Sequence, residues 1–235
     1  MTSIGIDPSI NSTGVCVLHC DRGNPKTLET NYYILAPSIT KSTSKWLDGH
    51  QENFSWVSYE KKDLKLAEDY SERENLKSVN LMEASRALDD ILMLECPDIA
   101  VMEGISYGST SGASIVDLAG LNFLYREKLI ESSYTGFLVI ASPMEIKKFA
   151  TGNGGVDKEV MLKVWKLCEC LDIDPKAKLD DLADAYFMAL YGMQKLYPDL
   201  GKSFELPKVE IPKKAKTKKL SEETQSAMET FNGIA

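Results

Sequence analysis

The sequence predicts an α/β domain in which a mixed sheet is flanked by helices. Three observations carry this. The first 35 residues hold three apolar, β-branched runs broken by short polar turns, which is the pattern of a strand meander. Beyond residue 97, short apolar runs alternate with longer stretches of helical periodicity, as in a sheet covered by helices. Of the 235 residues, 43% are apolar and 26% charged, which suits one ordinary core and argues against wholesale disorder.

The elements follow in order. Residues 2–7 and 14–20 read as adjacent strands joined by Pro8-Ser9-Ile10-Asn11-Ser12, and a third strand falls around 28–35. Residues 37–62 are polar and read as an excursion that folds back through Trp46, Phe54 and Trp56. From 63 to 95 the pattern is helical, with Leu81, Ala84, Leu88, Ile91 and Leu92 at three- and four-residue spacing and Pro97 ending it. Residues 98–103 form a buried-type strand that runs into a Gly- and Ser-rich loop over 104–112. A helix over 114–131 carries Leu118, Leu121 and Tyr125 on one face, and another apolar strand covers 136–141. Helices over 156–171 and 181–196 close the domain, and from 197 onward a Lys- and Pro-rich tail is expected to be weakly ordered. The order β-β-β-α-β-α-β-α-α makes a five-stranded sheet, with the core domain in 1–196 and the tail in 197–235.

Composition excludes several classes. No run of 18 apolar residues exists, so no membrane span is expected, and the first residues lack the basic and apolar regions of a secretory signal. Five cysteines without a C-x-x-C pair disfavour a disulfide scaffold or zinc finger and fit a reducing cytoplasm. The net charge is −8, from 27 Lys+Arg against 35 Asp+Glu, whereas a protein that simply coats nucleic acid would be basic. The charge is uneven, however. Lys208, Lys213, Lys214, Lys216, Lys218 and Lys219 crowd into 206–220, so overall charge is a poor guide to what one face binds.

Four carboxylates stand at telling places. Asp7 ends the first strand and Glu103 the strand over 98–103, while Asp181 and Asp184 fall in the first turn of the last helix. The apolar stripe of that helix runs through Leu182, Ala185, Tyr186, Ala189, Leu190 and Met193. Asp181 and Asp184 lie roughly 60° apart on one edge of it, and Asp180 lies further round. Each acid taken alone also reads as a turn residue or helix cap. Together, converging carboxylates repel one another and raise their pKa values, a cost that a hard divalent ion such as Mg²⁺ or Mn²⁺ removes. Two such ions about 4 Å apart activate water and stabilise a leaving oxygen in phosphodiester cleavage.

Basic and aromatic residues surround this set. Lys147, Lys148, Lys158, Lys163 and Lys166 lie near Gly152-Asn153-Gly154-Gly155, whose backbone amides could contact phosphates, although a solvated helix face gives the same pattern. Tyr107 follows Glu103 and could stack on an unpaired base or simply pack its loop. His19 and His50 are widely separated, Cys168-x-Cys170 faces two sides of a helix, and Trp165 reads as core or interface.

The motifs Ser3-Ile-Gly-Ile-Asp-Pro-Ser9 with Thr13-Gly14, Asp98-Ile-Ala-Val-Met-Glu103, Ile146 through Lys158, and Asp181-Leu-Ala-Asp184-Ala185 resemble the RuvC-type Holliday junction resolvases of the RNase H-like/retroviral integrase superfamily. The resemblance spans residues 1 to about 195, with 37–72 as an insertion, and does not reach the tail. It implies an RNase H-like fold, a homodimer, Mg²⁺ with Mn²⁺ as substitute, and paired nicking of four-way DNA junctions. It places Asp7, Glu103, Asp181 and Asp184 at the metal-binding catalytic positions and Lys147 and Lys158 at basic positions that meet DNA. It also implies that the helix over 114–131 forms the dimer interface. The added length and acidic charge suggest a bacteriophage branch, acting in the host cytoplasm, whose substrates extend to other branched DNA. A nuclease of the same fold acting on flaps or RNA–DNA hybrids is the alternative. An actin-like or sugar-kinase ATPase needs two such domains and a second phosphate loop, and a non-catalytic junction binder has no use for four clustered acids.

Overall fold

The computed structural model describes residues 1–21, 24–105, 112–132, 136–198 and 206–209. Tyr107 and the tail lysines other than Lys208 lie outside these residues.

Strands β1 (Thr2–Asp7), β2 (Thr13–Asp21) and β3 (Asn24–Leu35) form the expected antiparallel meander, with Ile6 opposite Val15 and Asp7 opposite Gly14. The chain then makes helix α1 (Lys41–Asp48), strand β4 (Phe54–Val57) and the long helix α2 (Tyr70–Glu95). Strand β5 (Ile99–Glu103) runs parallel to β1, and β6 (Phe137–Ala141) parallel to β5, with helix α3 (Gly112–Glu131) between them. Helices α4 (Pro143–Thr151), α5 (Lys158–Glu169) and α6 (Asp180–Leu196) complete the domain. An antiparallel meander extended by two parallel strands and covered by helices is the mixed α/β arrangement expected from the sequence.

The sheet has six strands in the order β4-β3-β2-β1-β5-β6, not the five expected from sequence. The sixth comes from the 37–72 excursion, which folds back as anticipated. Phe54 stacks on Tyr32 with ring centroids 4.4 Å apart, and the Trp46 Nε1 donates to the Asp172 carbonyl at 2.9 Å. β4 then joins β3 in parallel as the sheet edge. The helix expected from residue 63 begins at Tyr70, where Asp69 caps it by accepting from the Glu72 amide at 2.8 Å. α4 was not expected, although Ser142-Pro143-x-Glu145 is a capping box with proline in the first turn.

Strand parity sorts the side chains onto two faces. Ile4 and Ile6 of β1, Val15 and Val17 of β2, and Ala100 and Met102 of β5 pack with Ala84, Leu88, Ile91 and Leu92 of α2 and Leu121 and Tyr125 of α3. On the other face, Cys16 and Leu18 of β2 and Ile99 and Val101 of β5 pack under α6, Trp165 and Phe187. Trp165 is core: it is fully buried and donates to the Tyr32 hydroxyl at 2.8 Å. No helix among the described residues is long and apolar enough to cross a membrane.

Candidate active site

The same parity aims the strand-end carboxylates. Positions 3, 5 and 7 of β1 and 99, 101 and 103 of β5 face α6, so Asp7 and Glu103 emerge on the α6 side. Because Ile6 pairs with Met102 in parallel, the next residues, Asp7 and Glu103, end neighbouring strands side by side. Openings at the carboxyl ends of strands are where α/β sheets place their sites.

Glycine brings α6 down onto this edge. A Cβ on Gly5 would lie well inside contact distance of the Ala185 carbonyl oxygen and the Ala189 amide nitrogen. A Cβ on Gly14 would lie 2.9 Å from the Leu182 amide nitrogen and closer still to the Asp181 carbonyl. Gly14 is the cross-strand partner of Asp7, so its missing side chain sets the first turn of α6 against Asp7. The turn between β1 and β2 is pinned by Thr13, whose hydroxyl accepts from the Ser9 amide and from the Tyr125 hydroxyl at 3.0 Å.

The result is a cleft of about 430 Å³ lined by Asp7, Glu103, Asp181, Asp184 and Lys158, with Asp117, Leu118 and Asn122 of α3 as the opposite wall. All four carboxylates expected at the site line it. Burial, then Glu103, Asp184 and Asp181, push Asp7 well above the ordinary carboxylate range. Burial and then Asp184 raise Glu103 to about 7, and burial and then Asp180 raise Asp181 to about 6. Asp184 is raised to about 6, chiefly by burial, which the lysines Lys158 and Lys147 partly offset.

The lysines divide. The Lys158 Nζ reaches Asp180 at 3.2 Å, Asp181 at 3.5 Å and Asp184 at 4.0 Å, so it sits within the acid cluster. Burial works against its charge, yet Asp181, Asp7, Asp180 and Asp184 together outweigh this and hold the ammonium above its usual range. Lys147 is half-buried and near enough to favour ionised Glu103 and Asp184, whereas Lys148 is exposed. Asp180, at 42% side-chain exposure, stays on the rim.

Two residues of the cleft escaped the sequence reading. Asp117, whose partner is Lys77 at 3.8 Å, adds a further acid. Asn122 is 3% exposed, and its position between Leu118 and Tyr125 on the inward face of α3 is a signal the sequence contains. His19, which had no evident partner in sequence, joins Thr2 (Nδ1, 3.1 Å) to Glu95 (Nε2, 2.7 Å) at the opposite end of β1, away from the cleft.

The donor set suits a hard divalent ion. It offers four carboxylates whose ionisation is held back first by burial and then by neighbouring acids. With the Lys158 ammonium between Asp181 and Asp184, no three His, Cys, Asp or Glu side chains among the described residues converge on one point.

Fold and site thus define the class: a mixed α/β domain with an acidic cluster at the ends of its central strands. No family model matches the chain. It is 28% identical over 114 residues to the crossover junction endodeoxyribonuclease RuvC of Synechococcus sp. (strain CC9311), a match covering 48% of this chain and 66% of that protein. This chain spans just under two thirds of the length of that protein. Solved structures with a similar course include T. thermophilus RuvC in complex with a Holliday junction substrate (17% identity, TM-score 0.47, 85% of this chain and 97% of that one). Another is the yeast mitochondrial Holliday junction resolvase Ydc2 (17% identity, TM-score 0.45, 86% and 83%).

Proposed function

We propose that the protein is a structure-selective endonuclease that resolves four-way DNA junctions by paired, Mg²⁺-dependent nicks. The observation that carries this reading is the meeting of Asp7, Glu103, Asp181 and Asp184 in one cleft at the ends of β1 and β5. Asp7, Glu103, Asp181 and Asp184 would hold the divalent ions, Mg²⁺ or Mn²⁺. When bound, such ions supply an activated water and stabilise the leaving oxygen of a phosphodiester.

The chain's own groups do the rest. Lys158 and Lys147 carry positive charge to the mouth of an otherwise acidic cleft, where a DNA phosphate must approach. The first turn of α6 borders the same place, and the positive end of its dipole favours anions there. Pro8 and Ile10 on one side and Leu118 on the other limit water around the reacting phosphate. The free thiols of all five cysteines fit work in the cytoplasm.

Paired nicks need two sites related by a two-fold axis, and we propose a homodimer through α3. The face of α3 that the sequence reading offered for this, Leu121 and Tyr125, is fully buried in the core, and Leu118 borders the cleft. The exposed apolar stripe is instead Val116, Phe123 and Ile130, at 69%, 59% and 70% exposure.

The test is nicking of an end-labelled four-way junction. The wild-type protein should cut two opposed strands with Mg²⁺ or Mn²⁺, fall silent on chelation, and bind but scarcely cut with Ca²⁺, whose looser coordination misplaces the water. Asp184→Asn should lower the rate by roughly 10²–10³-fold, about 3–4 kcal/mol, while junction binding persists. Asp180→Asn should be far milder. Cleavage unaffected by chelation, or an Asp184→Asn protein of near wild-type rate, would overturn the reading, and cleavage confined to flaps or RNA–DNA hybrids would move it to another substrate.

A further inference from the structure

The lysines on the α4–α5 side of the cleft already have partners. The Lys158 ammonium lies within 4.0 Å of Asp180, Asp181 and Asp184. Lys147 stands near enough to Glu103 and Asp184 to favour their ionised forms. A DNA phosphate entering the cleft meets four carboxylates there, with Asp117 on the opposite wall. Contacts to phosphate oxygens fix the register of a protein on DNA, and a cation without a carboxylate partner makes them best.

The 37–72 excursion supplies such a cation from the other face of the sheet. After β4 the chain runs to the turn between β1 and β2, where the Lys61 Nζ donates to the Asn11 Oδ1 at 3.5 Å. Asn11 lines the cleft beside Pro8, Ser9 and Ile10. A contact this long, to a neutral amide, is a weak hydrogen bond that an anionic oxygen displaces easily. The backbone beside Lys61 is nonetheless fixed. The Lys62 amide donates to the Asn80 Oδ1 at 2.7 Å and its carbonyl accepts from the Asn80 Nδ2 at 3.0 Å. Asn80 belongs to α2 and is 8% exposed. Tyr59 packs against the cluster formed with α2 and α3, whereas α5 and α6 cover the opposite face. The nearby acids have other partners. Glu60 pairs with Lys62, Asp63 accepts from the Lys65 amide at 2.9 Å, and Asp69 caps α2. Lys61 itself is exposed and, among the described residues, pairs with no carboxylate. A free ammonium on a backbone already held in place loses little freedom when it grips a ligand.

We infer that Lys61 is a phosphate-binding residue of the substrate groove: its ammonium, set at the rim of the cleft by the clamp of Asn80 on Lys62, holds a backbone phosphate of DNA on the side of the strand ends opposite Lys158. This rests on the nuclease reading above but on no bound ion. It gives the 37–72 excursion a part in substrate binding besides its strand at the sheet edge.

The experiment is fluorescence anisotropy of the full-length protein on a labelled four-way junction, in EDTA, across a salt series. Lys61→Gln should weaken binding roughly 8-fold at 0.1 M salt and lower the slope of log K against log salt by about 0.9, one phosphate's share of counterion release. Lys61→Arg keeps the charge and should keep the slope. Lys45→Gln removes the same charge from α1, whose Trp46 packs on Phe54 at the far edge of the sheet, and should change neither quantity. Both positions are exposed, so neither change threatens the fold. A Lys61→Gln protein with the wild-type slope and an affinity within twofold overturns the inference. So do equal losses in Lys61→Gln and Lys45→Gln, which would be an effect of net charge, and so does a Lys61→Arg protein that loses the slope as Lys61→Gln does. If wild type binds the junction and only the Lys61→Gln effect is missing, the role of Lys61 alone falls. If wild type binds neither junction nor duplex, the nuclease reading falls and takes this one with it.

Discussion

Lys158 illustrates how one side chain carries two readings. In the sequence it follows a Gly-rich turn and resembles a phosphate contact; in the structure its ammonium is within 4.0 Å of three carboxylates. Both follow from its place at the start of α5, facing the first turn of α6. One ammonium does not balance the four acids, and this has a consequence for stability. Glu103 is raised to about 7 and Asp181 and Asp184 to about 6, against unfolded values near 4. Below about pH 4 both states hold these protons. Between about 4 and 7 the unfolded chain releases them while the native state keeps them, so stability falls as pH rises through this window. The raised Lys158 contributes stability that is full below its ordinary pKa and lost only in more alkaline solution, outside the window. With chelator present, the Tm should therefore decline from pH 5 to pH 8, and Mg²⁺ should flatten the decline. Asp184→Asn should stabilise the metal-free protein at pH 8 by on the order of 1–2 kcal/mol, or roughly 2–8 °C. Calorimetric scans across that range check this, and a Tm that rises toward pH 8 in the mutant and wild type alike would show that the acids are not held together.

At the scale of elements, the site depends on how closely α6 lies on β1 and β2, and glycine sets that distance. Gly5→Ala would drive a Cβ into the backbone of Ala185 and Ala189, where no side chain can swing aside. Overpacking of this kind costs typically about 1–3 kcal/mol, and here the relief is a shift of the helix that carries Asp181 and Asp184. Urea unfolding should show that loss, and nicking should fall by more than the unfolded fraction explains; full activity in a destabilised Gly5→Ala protein would mean that α6 has slack. The same elements show what was readable from sequence. Asp7, Glu103, Asp181 and Asp184 were legible because strand and helix periods fix which way a terminal residue points. The sixth strand and α1 were not, because four and eight residues are too few for a period to declare itself, and their placement rests on remote contacts such as Phe54 on Tyr32. α4 had its capping box in plain view but is only nine residues long. Asn122 was missed because a single polar residue in an apolar stripe looks like a lapse in the pattern until the cleft beneath it is seen.

For the whole molecule, the proposed paired nicking raises the question of how a chain with this cleft would make two symmetric cuts. α3 presents Val116, Phe123 and Ile130 to solvent at seven-residue spacing, and β6 exposes Ile140 on the face of the sheet that α3 covers. Exposed apolar clusters of this kind mark association surfaces. The opposite side of α3 walls the cleft through Asp117, Leu118 and Asn122. A partner seated on the stripe would thus brace the helix that completes the site, which links pairing to cleavage. In a two-fold interface each residue acts twice. Burying one phenylalanine is worth about 1.5–3 kcal/mol, so Phe123→Glu removes at least about 3–6 kcal/mol and should weaken the dimer by roughly 10²–10⁴-fold. Sedimentation equilibrium on wild type and variant measures this directly. The functional readout is a supercoiled plasmid that extrudes a cruciform. Two cuts within one binding event give linear product, whereas single, uncoupled cuts give nicked circles. Wild type should give linear DNA early, and Phe123→Glu should accumulate nicked circles at any concentration where it sediments as a monomer. An unchanged sedimentation profile in Phe123→Glu would place the interface elsewhere on the surface, and a monomeric wild type that still yields linear product in one step would remove the need for a dimer altogether.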